Sequence, residues 1–174
     1  MSFISRNHPQ QVAVRGPLDE VDDRGTPPEV FAELSTRFGP FTIDVAAAAH
    51  NAKCERYYTR ADNGLLQPWY SAPHLSSSVV WCNPPYSDLA SWIRKAWDEW
   101  DTGFVKRIVM LVPANRTEQA WWQDHVEPDR DRPASPMRTE FIRGRTRFIK
   151  AGQTEIKPNE RPPFGCALLI WGRP

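Results

Sequence analysis

The tetrapeptide Asn83-Pro84-Pro85-Tyr86 is the stretch of this chain whose residue types and spacing best suit chemistry. It follows the apolar run Val79-Val80-Trp81-Cys82 and precedes a strong helical pattern, so it falls where a buried strand ends. Proline fixes φ and donates no hydrogen bond, and two in succession leave the turn few alternative conformations. An Asn side-chain oxygen and a proline carbonyl then stand as two fixed acceptors beside a flat aromatic ring. That set suits an exocyclic amine, whose lone pair is delocalised into its ring and is a poor nucleophile. Acceptors on both N–H bonds favour a tetrahedral nitrogen and stabilise the charge that develops as it attacks a methyl donor. A tyrosine face suits stacking on a base turned out of a duplex. The competing reading is a plain rigid turn from strand to helix.

The elements that must position this turn read as an alternation of helix and strand. Thr26, as a cap, with Pro27 near the first turn, opens a helix that carries Val30, Phe31 and Leu34 and stops at Gly39. The stretch 41–49 starts as a strand, with Asp44 at its end, and runs into a row of alanines, and 53–59 suits a second short strand. Residues 77–83 form the third. Leu89, Trp92, Ile93, Ala96, Trp97 and Trp100 then recur at helical spacing after Ser87, the expected cap. The continuous apolar run at 107–113 is a buried strand, 116–126 suits a short helix, and 127–136 reads as a loop. Two or three antiparallel strands close the chain. Of the adjacent Trp121 and Trp122, one is expected to be exposed. The fold class is α/β, a mostly parallel sheet with antiparallel strands at its C-terminal edge.

A length of 174 residues suits one domain with a sizeable core, residues 25–174, preceded by a polar, loosely ordered arm over 1–24. The net charge of +1 demands neither an acidic nor a basic partner overall, so any nucleic-acid contact must come from a local patch. Arg143, Arg145 and Arg147 supply the dense basic stretch; in a strand they project on one face. That face suits either phosphate binding or a charge-protected edge strand. Three widely separated cysteines and four scattered histidines show no metal-ligand spacing. No apolar run has membrane-spanning length and no secretory leader is seen, so a soluble, cytoplasmic protein is expected.

The motif order carries a resemblance. NPPY follows, in turn, the segments TPPEVF, RFGPFTIDVAA, YYT and NGL. Over nearly the whole chain this resembles the phage-type DNA adenine-N6 methyltransferases of the Dam group, which use S-adenosyl-L-methionine. The resemblance implies a Rossmann-like class I methyltransferase sandwich, DNA as partner, and a host-cell cytoplasmic location for a phage-encoded chain. It implies that Asn83 and Pro84 hold the target amine within the turn that Pro85 stiffens, and that Tyr86 stacks on the base. It further implies that Asp44, Ala46 and Ala47 meet the cofactor, with Thr26 and Pro27 beside them and Asp62 accepting from the adenosine part. For Asp62 a simple turn role is the alternative. The short stretch between Asp44 and Asn83 implies that one crossover helix is missing or reduced to a loop. Restriction-type relatives add a target-recognition domain, for which this chain has no room, leaving only 127–136 and the basic stretch after it. The tetrapeptide alone also fits cytosine-N4, RNA adenine or protein glutamine as acceptor, or a catalytically silent nucleic-acid-binding module.

Overall fold

The computed structural model describes Asp22 and residues 24–71, 78–150, 153 and 164–172. Apart from Asp22 and Arg24, the arm expected over 1–24 lies outside the described residues. The chain runs β1 (Arg24–Gly25), α1 (Pro28–Phe38), β2 (Ile43–Asp44), β3 (Ser78–Cys82), α2 (Leu89–Asp101), β4 (Val105–Pro113), α3 (Ala120–His125), β5 (Met137–Phe141), β6 (Ile149–Lys150) and β7 (Cys166–Trp171). Among the described residues no helix is long and apolar enough to cross a membrane.

Five strands form one mixed sheet in the order β2-β3-β4-β7-β5. β2, β3 and β4 are parallel, whereas β7 runs antiparallel to both β4 and β5. β5, at the edge, therefore points the same way as the first three. The C-terminal strands at this end of the sheet pair antiparallel, as expected, but the one that runs against the parallel set lies inside rather than at the very edge. The reason is composition. All six residues of Cys-Ala-Leu-Leu-Ile-Trp in β7 are buried, while Met-Arg-Thr-Glu-Phe in β5 is buried only at Met137. The wholly apolar strand takes the place with a neighbour on either side, and the polar one takes the edge. Asp131 guards that edge, accepting from the Thr139 N–H through its carboxylate at 2.9 Å and donating its own N–H to the Met137 carbonyl.

Side chains alternate along β4, so the core has two layers. Ile108, Met110 and Val112 face α2 and α3, packing with Trp92, Ile93, Ala96, Trp121 and Trp122. Val109 and Leu111 face α1, packing with Leu34, Phe38 and Trp81. Trp121 and Trp122 are both buried, against expectation. Their rings stand nearly perpendicular, and each indole N–H finds a partner, Gln119 for Trp121 and Glu127 for Trp122. α1 starts after Pro27 rather than at a Thr26 cap, and α2 starts after Asp88 rather than Ser87; neither position makes a side-chain cap bond. Both hydroxyls belong to the site instead.

Among the described residues between β2 and β3 there is no helix. The strand expected at 53–59 contracts to a single parallel bridge, Tyr57 beside Asp44. The segment that replaces the missing crossover is anchored by Trp69. Its ring stacks on Trp92, its indole N–H donates to the Gly64 carbonyl at 2.9 Å, and its main-chain N–H donates to Glu99 at 3.0 Å. Gly64 sits so close to β2 that a Cβ there would meet the Val45 carbonyl oxygen at 2.2 Å. Only glycine allows that approach.

Candidate active site

The carboxyl ends of β2 and β3 open onto a cavity of about 620 Å³. This is where open α/β sheets hold ligands, because the crossovers diverge there. One wall is Asp44 through Ala48 with Lys53; the second is Tyr58–Arg60 and Asn63–Leu65; the third is Asn83, Pro85, Ser87 and Asp88; Arg24, Gly25 and Thr26 complete it.

Asp44 ends β2 and is 3% exposed. Its two carboxylate oxygens accept from the main-chain N–H groups of Lys53, at 3.0 Å, and Ala46, at 3.3 Å. Burial pushes its pKa up to about 6, and those two hydrogen bonds and the Lys53 charge only partly offset the loss of water. Burial also pulls the Lys53 ammonium below its ordinary range, against the attraction of Asp44 and Glu29. The Thr26 hydroxyl oxygen is buried at the cavity with no partner among the described residues. A buried hydroxyl left unpaired costs free energy, so its position marks where a ligand atom would be gained.

Asn83 follows β3 directly. Its amide nitrogen donates to the Arg24 carbonyl at 2.6 Å, and its oxygen accepts from the Tyr86 phenol at 3.3 Å. Pro84 is buried, and Pro85 is half-buried and lines the cavity. Tyr86 turns away from the cavity and packs edgewise against Phe148 and at a tilt against Phe164. Burial holds its phenol well above its usual pKa, so it stays a neutral donor. Ser87 donates through both its N–H and its hydroxyl to the Asp22 carboxylate.

A family model described as DNA N-6-adenine-methyltransferase (Dam) matches residues 15–174. The chain belongs to this family. A DNA N-6-adenine-methyltransferase of Escherichia phage T1 is 35% identical over 99 residues, covering 57% of this chain and 38% of the relative. The putative methyltransferase YfdM of Escherichia coli K12 is 40% identical over 70 residues, covering 40% of this chain and 77% of the relative. Against the phage T1 Dam relative, then, the match spans less than half of that protein's length.

Of the Dam-type site residues anticipated from sequence, the cavity brings together Thr26, Asp44, Ala46, Ala47, Asn83 and Pro85. Pro27, Arg143, Arg145 and Arg147 line a different groove, between α1 and the segment after β5. The three arginines are exposed and lie outside any strand, which corrects the strand expected there; Arg145 and Arg147 still point outward in alternation with buried Thr146 and Phe148. Asp62 is exposed and away from the cavity. Its carboxylate accepts from the Thr59 hydroxyl and N–H, which also lowers its pKa, the geometry of a turn. Sequence reasoning missed Asp22, Arg24, Lys53, Gly64 and Ser87 as parts of the site. Gly64, inside the NGL segment, and Ser87, directly after the tetrapeptide, offered a signal. Lys53 is brought in by a loop of nine residues back to Asp44, and Asp22 and Arg24 reach the cavity only through pairings with Ser87 and Asn83, distant in the chain.

Proposed function

We propose that this chain transfers a methyl group from S-adenosyl-L-methionine to the N6 amine of an adenine turned out of duplex DNA. The single observation that carries the reading is Asn83, its amide oriented by hydrogen bonds, opening onto the same cavity as buried Asp44 and the unpartnered Thr26 hydroxyl. The sheet, with its lone antiparallel strand inside, supports reading the fold as a Rossmann-like class I methyltransferase sandwich, with residues 25–174 as one catalytic domain.

The cavity fits the cofactor by size and by donor set. Its volume is in the range of small-molecule pockets. Asp44 and Lys53 offer opposite charges for a zwitterionic amino-acid end, Ala46 and Ala47 leave room along the chain wall, and Thr26 offers a hydroxyl that has no partner among the described residues. When bound, the cofactor supplies a methyl group on a sulfonium, an electrophile that needs no acid to activate it. The protein's own work is at the acceptor. The Asn83 oxygen accepts from one amine N–H and the Pro84 carbonyl from the other, which frees the nitrogen lone pair and disperses the positive charge formed on it. The Tyr86 phenol keeps the Asn83 oxygen in place. Its ring packs against Phe148 and Phe164, turned from the cavity, and stacking on the base requires it to swing out of that packing when an adenine is seated. Arg143, Arg145 and Arg147 meet DNA phosphates.

The test is incubation with tritiated S-adenosylmethionine and unmethylated duplex DNA, digestion to nucleosides, and identification of the labelled one, with Asn83→Ala alongside. Label in N6-methyladenine that disappears in the variant is the expected result. Label in cytosine, in RNA or in protein would refute the acceptor, and unchanged activity in Asn83→Ala would refute the site.

A further inference from the structure

The segment before α1 grips the Asn83–Ser87 turn at both ends. Asp22 takes both donors of Ser87, and Arg24, held in the short β1–β6 ladder against Ile149 and Lys150, takes the amide of Asn83. A main-chain carbonyl has lone pairs and no proton, so it can only accept. At 2.6 Å the group facing it must therefore be the nitrogen end of the Asn83 amide, and the oxygen end is turned toward Tyr86. Resting on the functional reading above, we infer that the Arg24 carbonyl decides which end of Asn83 meets the target amine, and that position 83 of this chain requires a hydrogen-bond donor. Aspartate there, nearly the same shape, would set a carboxylate oxygen against a carbonyl oxygen. Arg24 and Asp22 are thus positioning residues, acting through Asn83 and Ser87.

The test is Asn83→Asp in the full chain, with melting followed from pH 4.5 to 8 at low and high salt against the parent protein. The charged and titratable groups around position 83 are the Tyr86 phenol, the Arg24 guanidinium, which lies over the Phe164 ring, the Asp22 carboxylate, and Asp44, Lys53 and Asp88 on the cavity wall. A protonated carboxyl can still donate to Arg24, so at the acid end the variant should melt close to the parent. Its folded-state pKa would be raised, so as pH climbs past about 4 the unfolded chain releases a proton that the folded chain retains, and stability is lost until the folded group ionises. The expected result is a gap that opens by roughly 5 °C toward pH 8 and survives high salt, because a contact repulsion is not screened. A gap constant with pH, or one that closes in salt because it came from Asp22, Asp44 and Asp88 at a distance, would overturn the inference. Should the variant not fold at any pH, the parent alone decides: a scalar coupling across the hydrogen bond between the Asn83 amide nitrogen and the Arg24 carbonyl carbon supports it, and a side-chain amide exchanging as fast as a solvated one refutes it. Neither readout needs methyl transfer. An inactive parent showing the coupling would defeat the functional proposal and leave the orientation standing, while an active parent without it would do the reverse.

Discussion

Titrating Asp44 should control how tightly the cavity holds a cation. The carboxyl is 3% exposed, and its pKa is raised from the usual 3.8 to about 6, chiefly by burial. A shift of that size means that ionising it in the folded protein costs about 3 kcal/mol more than in water. The sign for folding follows. Below about pH 4 the group is protonated in both folded and unfolded chains and has no effect. Between about 4 and 6 the unfolded chain gives up a proton that the folded chain keeps, so stability falls across that window and is level above it. Binding runs the other way. A cationic ligand beside Asp44 favours the ionised form, so its affinity should drop about tenfold for each pH unit below about 6 and be flat above. The assay is equilibrium dialysis of tritiated S-adenosylmethionine from pH 5 to 7, where the cofactor's own amino group stays protonated. The parent protein should show a bend near pH 6, and Asp44→Asn should bind weakly with none. A flat parent curve, or a bend that persists in Asp44→Asn, would refute the reasoning.

Three further outcomes are expected. Thr26→Val keeps the shape and removes a buried hydroxyl that has no partner among the described residues, so melting should hold or rise slightly while cofactor affinity falls about tenfold. Gly64→Ala forces a methyl group to within 2.2 Å of the Val45 carbonyl oxygen, and should cost about 3 kcal/mol, seen as a drop in melting temperature of roughly 6–12 °C together with weakened cofactor binding. Replacing exposed Arg143 and Arg147 together by alanine should leave melting and cofactor binding alone, and should reduce the slope of log affinity for DNA against log salt by about 1.8, two phosphate contacts' worth.

The elements that were legible in the chain were those written in local pattern. α2 declares itself because Leu89, Trp92, Ile93 and Ala96 share a face and are buried on it. β3 and β4 declare themselves through the apolar runs 79–82 and 108–112, and the proline pair marks where β3 must stop. Asp44 was legible as a carboxylate at a strand end, and the loss of one crossover helix as a shortage of residues. The order of β5 and β7 was not, because strand adjacency is settled by contacts between segments more than 50 residues apart, such as Leu111 opposite Leu168. Local signals misplaced two hydroxyls for the same reason: Thr26 and Ser87 each stand two residues before their helices, close to where a cap is expected, yet one is buried at the cavity and the other binds Asp22. The basic stretch kept its outward alternation without the ladder that alternation usually signals.

The place of β7 has a consequence for how the chain comes to be folded. β4 is complete at Pro113 and β5 at Phe141, yet the strand that must lie between them is not made until Trp171. During synthesis the two have no common partner, and their apolar flanks wait for the last stretch of described chain to slot in from the ribosome. Closure of the sheet is therefore a late event with high contact order, and slow by topology alone. A nascent or truncated chain ending shortly before Cys166 would hold every residue of the cavity wall and still present two open strand edges, the form in which such chains aggregate.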